Sequence, residues 1–197
     1  MNFQSRSQAQ QDLFVWSLLP KREGSFLDIG SHDPIYINNT YELEQSKGWR
    51  GYLFDVDAKW IKPTQACRLS PFVYADLTNF DWTTFIQTYK LSGKRFDYMS
   101  FDIDHASLPA LRRFPFNDIS FSIATVEHDS YRFGEAVADE MRDIFTKNGY
   151  EILCKDVMLN DKPYEDWYVH PSLLAENPSA ERFRCEGLEF SEIIKRI

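Results

Sequence analysis

The sequence predicts an α/β fold, a mostly parallel sheet with an antiparallel edge and helices on both faces. Short apolar runs rich in aromatic and β-branched residues alternate with helical patterns along most of the chain. Four of the first five runs lead into acidic residues at their ends. The length of 197 residues, 43% of them hydrophobic and 16% aromatic, fits one domain with a packed core of two or three layers. Strands separated by helices imply right-handed crossovers and therefore parallel pairing with both sheet faces covered.

A helix is expected over Ser5–Leu19, then a strand over Ser25–Gly30. The next helix, Asn39–Lys47, stops at Gly48. Strands follow at Gly51–Asp57 and Pro71–Leu77, and a helix at Asp81–Leu91 ends near Gly93. Phe96–Asp104 and Ile119–His128 read as the fourth and fifth strands. The clearest helix is Glu135–Asn148, where Val137, Met141, Ile144 and Phe145 recur on one face and Gly149 marks the stop. Tyr150–Val157 and a short Trp167–Val169 read as strands that pair antiparallel at the sheet edge, and Glu189–Ile197 looks helical. No repeat or flexible linker interrupts this order. A single domain over 1–197 is expected, with 1–20 as an N-terminal helix and 158–197 as a C-terminal edge and tail.

The formal net charge of −8 repels phosphate backbones. The adjacent basic pairs Lys21–Arg22, Arg112–Arg113 and Lys195–Arg196 are not interleaved with aromatics, so nucleic acid is not an expected partner. No apolar run approaches the ~20 residues that cross a bilayer. Met1–Gln11 is polar and lacks the apolar stretch of a secretory signal, so a cytoplasmic location and no membrane partner are expected. Cys67, Cys154 and Cys185 are odd in number and match no zinc spacing. They read as reduced thiols, with Cys154 in a strand core.

In parallel sheets of this kind, ligands bind beyond the carboxyl ends of the strands. Phe26-Leu27-Asp28-Ile29-Gly30 is a strand ending in Asp-x-Gly, and Gly30 lets backbone approach a ligand closely. His32 and Pro34 stand where a dinucleotide fingerprint would need further glycines, which argues against a standard NAD site. Asp55 ends the next strand about 25 residues after Gly30, close to the ~20 at which an acidic residue takes the ribose hydroxyls. Asp76, after the third strand, is placed to accept from an adenine amino group. Strand-end aspartates are also common turn formers, but three in succession favour a ligand.

Several segments then resemble FkbM-type methyltransferases. These are Ser7-Gln8 with Gln11-Asp12, FLDIGSHDP, Asn39-Thr40-Tyr41-x-Leu43-Glu44, and the Gly48–Asp55 stretch GWRGYLFD. Phe96–Asp104, Val126-Glu127-His128 and Gly149-Tyr150 continue the similarity, and Glu165–Pro171 looks like a tail of some relatives. The resemblance implies a Rossmann-like class I methyltransferase fold and S-adenosylmethionine as cofactor. It assigns Asp28, Gly30, Ser31, His32 and Thr40 to the methionine end, and Asp55 to the ribose. Val56 would lie against the adenine, Asp76 and Leu77 would take the adenine edge, and Asp102 would sit beside the sulfonium and amino group. O-methylation of a small-molecule or sugar-containing acceptor would follow, with a non-catalytic cofactor-binding module as the alternative. Two departures stand out: Asp102-Ile103-Asp104-His105 replaces the usual Asp-x-Glu-Gly, and the family's glycine is missing at His32.

The cofactor also fits the chemistry, since a sulfonium is a cation and strand-end carboxylates favour it over polyphosphates. No Gly-rich loop with Lys-Ser/Thr offers a phosphate cradle. Asp102, Asp104, Glu127, His128 and Asp129 are expected to converge beyond adjacent strands. Asp102, Asp104 and His128 are the catalytic candidates. The group has three readings: base and positioning groups, a site for a Mg²⁺-like ion, or a solvated acidic rim. His128 also has a structural reading, as a strand-end hydrogen-bonding group. Trp167 and Tyr168 read as sheet-edge packing.

Overall fold

Eight strands form one sheet in the order β3-β2-β1-β4-β5-β7-β6-β8 in a computed structural model that describes residues 3–197. They are β1 (Ser25–Ile29), β2 (Arg50–Asp55), β3 (Phe72–Tyr74), β4 (Lys94–Phe101), β5 (Ile119–Glu127), β6 (Glu151–Leu159), β7 (Lys162–Val169) and β8 (Cys185–Glu186). β1 to β5 pair in parallel, and the winding reverses between β1 and β4. β7 runs antiparallel to both β5 and β6, while β8 returns parallel to β6. Met1 and Asn2, the first two residues of the expected 1–197 domain, lie outside the described residues.

Alternation along the central strands divides their side chains between two cores. Leu27, Ile29, Phe54, Met99, Phe101 and Phe121 pack one face against the helix Glu135–Lys147. Phe26, Leu53, Tyr98, Ile123 and Trp167 pack the other face against Phe14, Trp49 and Phe183. The helix Glu135–Lys147 forms as expected and buries Ala138, Met141, Arg142 and Phe145, a stripe at three- and four-residue spacing.

Several expected boundaries shift. The first helix is Gln11–Leu18 rather than Ser5–Leu19. The buried Asp12 carboxylate accepts the Ser5 hydroxyl and, at 3.0 Å, the Arg6 N–H, which wraps the preceding residues into a turn. The strand expected over Pro71–Leu77 keeps only Phe72–Tyr74, because Asp76 caps a 3-10 turn at Leu77–Asn79. The short helix Ile61–Cys67 has no counterpart among the expected elements.

The largest correction concerns β7. It is eight residues long, not three, and lies inside the sheet between β5 and β6, so Glu165–Val169 is not an edge segment. Two carboxylates lie within it, each satisfied by its own partners. Glu165 accepts from Gln11, Tyr164 and Trp167, and Asp166 accepts from Arg142 and the Asp156 N–H. The three cysteines are free, and Cys154 is buried in β6. No helix of the described residues is long and apolar enough to cross a membrane.

Candidate active site

β1 turns into its loop at Gly30 with φ of 85°. A Cβ there would lie 1.6 Å from the Asp102 carbonyl oxygen, so only glycine lets this loop cross the end of β4. The Gly30 and Ser31 N–H groups both donate to the Phe54 carbonyl, at 2.9 and 3.0 Å, which ties the turn to β2.

The loop from Ser31 to Thr40 is held from beneath by Arg68. This fully buried guanidinium donates to the Pro34 carbonyl and the Asn38 amide oxygen, both at 3.1 Å, and to Thr40 Oγ1 at 2.9 Å. Glu44, equally buried, supplies the counter-charge at 3.2 Å. The Thr40 hydroxyl passes the chain on, donating to Asp28 Oδ2 at 2.6 Å. Burial pushes the Asp28 carboxyl up to about 6, against the lowering effects of Thr40 and Arg68. Asp28 and Thr40 thus support the loop from below and do not line the cleft above it. Ser31 is also buried beneath the surface. Its Oγ, like Asn39 Oδ1, has no hydrogen-bond partner among the described residues.

A cleft of about 850 Å³ opens above the carboxyl ends of β1, β2, β3 and β4. It brings together Gly30, His32, Asp55, Val56, Asp76, Leu77, Asp102 and Asp104 of the sequence-derived candidates. Asp55 accepts the His32 and Asp57 N–H groups, both at 2.8 Å, one on each oxygen. Each oxygen retains capacity for a further donor. Asp76 Oδ1 takes both the N–H and the hydroxyl of Thr78, which holds its carboxyl below the usual range.

The cleft has an apolar side as well. Tyr36, Ile37 and Val56 line it and are 68%, 66% and 63% exposed, a high figure for side chains of this size. Ile37 has φ of 52°, a left-handed conformation that is strained for a β-branched residue and is typical of functional loops. No lysine or arginine lines the cleft among the described residues.

Beyond β4 and β5, carboxylates crowd together. Phe101 stands level with Val126 in the parallel register, so Asp102 and Glu127 follow side by side. Glu127 is in turn level with Glu165 on β7. The Asp102 and Glu127 carboxyls face each other across the ends of the two strands. Burial raises both, and Glu127, facing Asp102, is held far above the carboxylate range. Asp104, Glu127 and Asp129 offer oxygens within 4.8 Å of one another. Arg132 already bridges Asp104 and Asp129, at 2.7 Å to each.

His128 stands apart from this group. Its Nδ1 accepts the Ser130 N–H at 3.1 Å, which puts the proton of the neutral ring on Nε2. Nε2 faces Asp166 and Asp156 at 3.5 and 3.6 Å, where Arg142 is also bound. That tautomer leaves no lone pair on Nε2 for a metal, although His128, Asp156 and Asp166 are close enough in space to hold one. His128 does touch a smaller cavity of about 260 Å³, lined also by Leu108, Phe133, Val137 and Met141. This cavity shares Asp104 and His105 with the main cleft. Arg68, Arg132 and the apolar wall at Tyr36 and Ile37 were not among the sequence-derived candidates. Of their partners, Pro34, Thr40, Glu44 and Asp104 stood in a recognised segment.

No family model matches the chain, and no curated protein matches it in sequence. Solved structures match it in three dimensions. A TehB-like SAM-dependent methyltransferase from Corynebacterium glutamicum superposes with a TM-score of 0.53 at 15% identity, over 81% of this chain and 86% of its own. An rRNA methylase from Streptococcus thermophilus gives 0.54 at 12% identity, over 86% and 99%. A SAM-dependent O-methyltransferase from Thermotoga maritima gives 0.55 at 10% identity, over 86% and 67%. The fold is the Rossmann-like fold of class I methyltransferases.

Proposed function

We propose that the chain is a class I, S-adenosylmethionine-dependent methyltransferase of FkbM-like type that methylates a hydroxyl of a small-molecule or sugar-containing acceptor. The observation that carries this reading is the composition of the cleft: Asp55, Asp76 and Asp102 together with the exposed apolar side chains Tyr36, Ile37 and Val56, and no lysine or arginine among the described residues. Such a cleft suits a cationic nucleoside and disfavours a polyphosphate. The protein's own residues fit the molecule along its length. The unpartnered Ser31 Oγ and Asn39 Oδ1 offer a donor and an acceptor for the carboxylate and amine of its methionine end. Asp55 has acceptor capacity for two ribose hydroxyls, Val56 an apolar face for adenine, and Asp76 and Leu77 the ring edge.

When bound, S-adenosylmethionine supplies an electrophilic methyl group, and transfer is an in-line displacement that depends chiefly on alignment. Asp102 and Asp104, on the cleft wall, take the positioning and base roles for the acceptor hydroxyl. The 260 Å³ cavity beside Asp104 and His105, lined by Leu108, Phe133, Val137 and Met141 together with polar groups, is the place for the acceptor. A fold alone does not distinguish an enzyme from a binding module that kept its cofactor.

Calorimetric titration with S-adenosylmethionine and S-adenosylhomocysteine tests the reading, followed by a methyl-transfer screen over phenols and glycans. Asp55→Ala should weaken S-adenosylmethionine binding by more than about tenfold, the loss expected for a charge-assisted pair of hydrogen bonds. An unchanged dissociation constant in a folded Asp55→Ala protein would remove the ribose assignment.

A further inference from the structure

We infer that Asp102 and Glu127 form a proton-for-cation exchange pair, and that Glu127 makes the cleft selective for the sulfonium form of the cofactor over its neutral thioether product. The inference rests on the cofactor proposed above. It goes beyond that reading in giving a role to Glu127, which does not line the cleft itself.

The geometry places the two carboxyls to share a proton. Asp102 follows β4 and Glu127 ends β5, each one step beyond the paired residues Phe101 and Val126, so their side chains leave the sheet together. Burial raises both carboxyls and each faces the other, so the two are not ionised together and share one proton. Glu127 Oε2 is buried without a hydrogen-bond partner among the described residues. Among the described residues no lysine or arginine forms an ion pair with either group.

The surroundings reinforce the demand. Asp104 and Asp129 repel Glu127 from the turns after β4 and β5, and Glu165 stands level with it on β7. Arg132 is the nearby cation from the following helix, and it is committed to Asp104 and Asp129. His32, from the β1 loop, lies on the Asp102 side of the pair. In the free protein, therefore, one proton serves as the counter-ion of two carboxyls.

A sulfonium placed beside Asp102 supplies that positive charge itself. The shared proton then leaves to solvent, the pair passes from one negative charge to two, and the total charge of the site is conserved. S-adenosylhomocysteine carries the same amine and carboxylate but no charge on sulfur, so it releases less of the proton. After methyl transfer, the neutral sulfur faces a pair that binds a proton again, which favours departure of the product.

Two measurements test this. Calorimetry of S-adenosylmethionine binding at pH 7.5, in phosphate and in Tris, should give close to one proton released per ligand, and S-adenosylhomocysteine clearly less. Glu127→Gln keeps the shape and removes one ionisable group. Its binding should release no proton, and its preference for S-adenosylmethionine over S-adenosylhomocysteine should fall by about tenfold or more. Independently of any ligand, carboxyl carbon NMR of the free protein should show a group still protonated at pH 8 that is absent from Glu127→Gln. A missing protonated carboxyl overturns the pair whether or not the cofactor binds. Proton-silent binding, or unchanged preference in Glu127→Gln, overturns the exchange while leaving the cofactor assignment intact. Absence of any binding overturns the cofactor assignment and, with it, the exchange.

Discussion

Asp104 occupies the left-handed region with φ of 52°, and its carboxylate is tied to Arg132 at 2.7 Å. Asparagine tolerates that backbone about as well as aspartate does, so Asp104→Asn removes a charge with little strain. Asp104 borders both the main cleft and the smaller apolar cavity, whereas Asp55 and Asp76 lie at the far end of the cleft among β2 and β3. Its loss should therefore fall on the acceptor side. Asp104→Asn is expected to reduce methyl transfer by at least about 10²-fold, the lower range for removing a general base. Affinity for S-adenosylmethionine should stay within a few-fold. Repeating the assay with a chelator separates base from metal-ion roles. Full turnover by the variant would leave Asp104 as part of a solvated rim.

At the scale of elements, the junction of β5, β6, β7 and the helix Glu135–Lys147 depends on one guanidinium. Arg142, on the buried stripe of that helix, donates to Asp166 of β7 at 2.8 Å and to Asp156 of β6 at 2.6 Å. Burial alone would raise the Asp166 carboxyl, but His128 and Arg142 outweigh it and bring it down to about 2. Arg142→Met keeps much of the apolar stem and strands two carboxylates, so it should cost about 3–5 kcal/mol of stability. Chemical denaturation measures this, and a loss under 1 kcal/mol would mean the network is solvated in solution. The same junction shows where sequence reading stopped. The strands β1, β2, β4 and β5 and the helix Glu135–Lys147 were legible because apolar periodicity and terminal aspartates mark them without reference to distant residues. The cleft residues at Gly30, Asp55, Asp76 and Asp102 were legible for the same reason, since parallel strands deliver their ends to one side. β7 was not, because Glu165 and Asp166 look like loop residues until Gln11, Tyr164, Trp167 and Arg142 are brought to them by the fold. Arg68 was hidden in the same way: its partners at Pro34, Asn38 and Thr40 lie about 30 residues earlier in the chain.

Over the whole molecule, the buried carboxyls set how stability responds to pH. Desolvation raises Glu165 to about 8 despite its three donors, and Asp28 to about 6. In the unfolded chain both return to ordinary values near 4. Between those limits the folded state binds more protons than the unfolded state, so stability falls as pH rises. Glu165 contributes fully below its unfolded value, and that contribution is lost as pH climbs toward 8. Asp28 behaves likewise up to about 6. Asp166 works in the opposite sense, since its stabilisation is present above the ordinary aspartate value and is lost only as pH falls toward 2. It does not offset the others near neutrality. The net charge of −8 adds repulsion in the same direction, because deprotonating Glu165 or the Asp102–Glu127 pair makes the charge more negative still. The melting temperature should therefore fall steadily from pH 5.5 to pH 8.5, with the stability change amounting to a few kcal/mol. Glu165→Gln keeps the acceptor for Tyr164 and Trp167 but cannot ionise, so it should flatten the slope above pH 6. Calorimetric melts of the free protein across this range decide the matter. A melting temperature that rises toward pH 8.5, or a slope unaltered by Glu165→Gln, would mean that Glu165 is already ionised at neutral pH and that its three donors outweigh its burial.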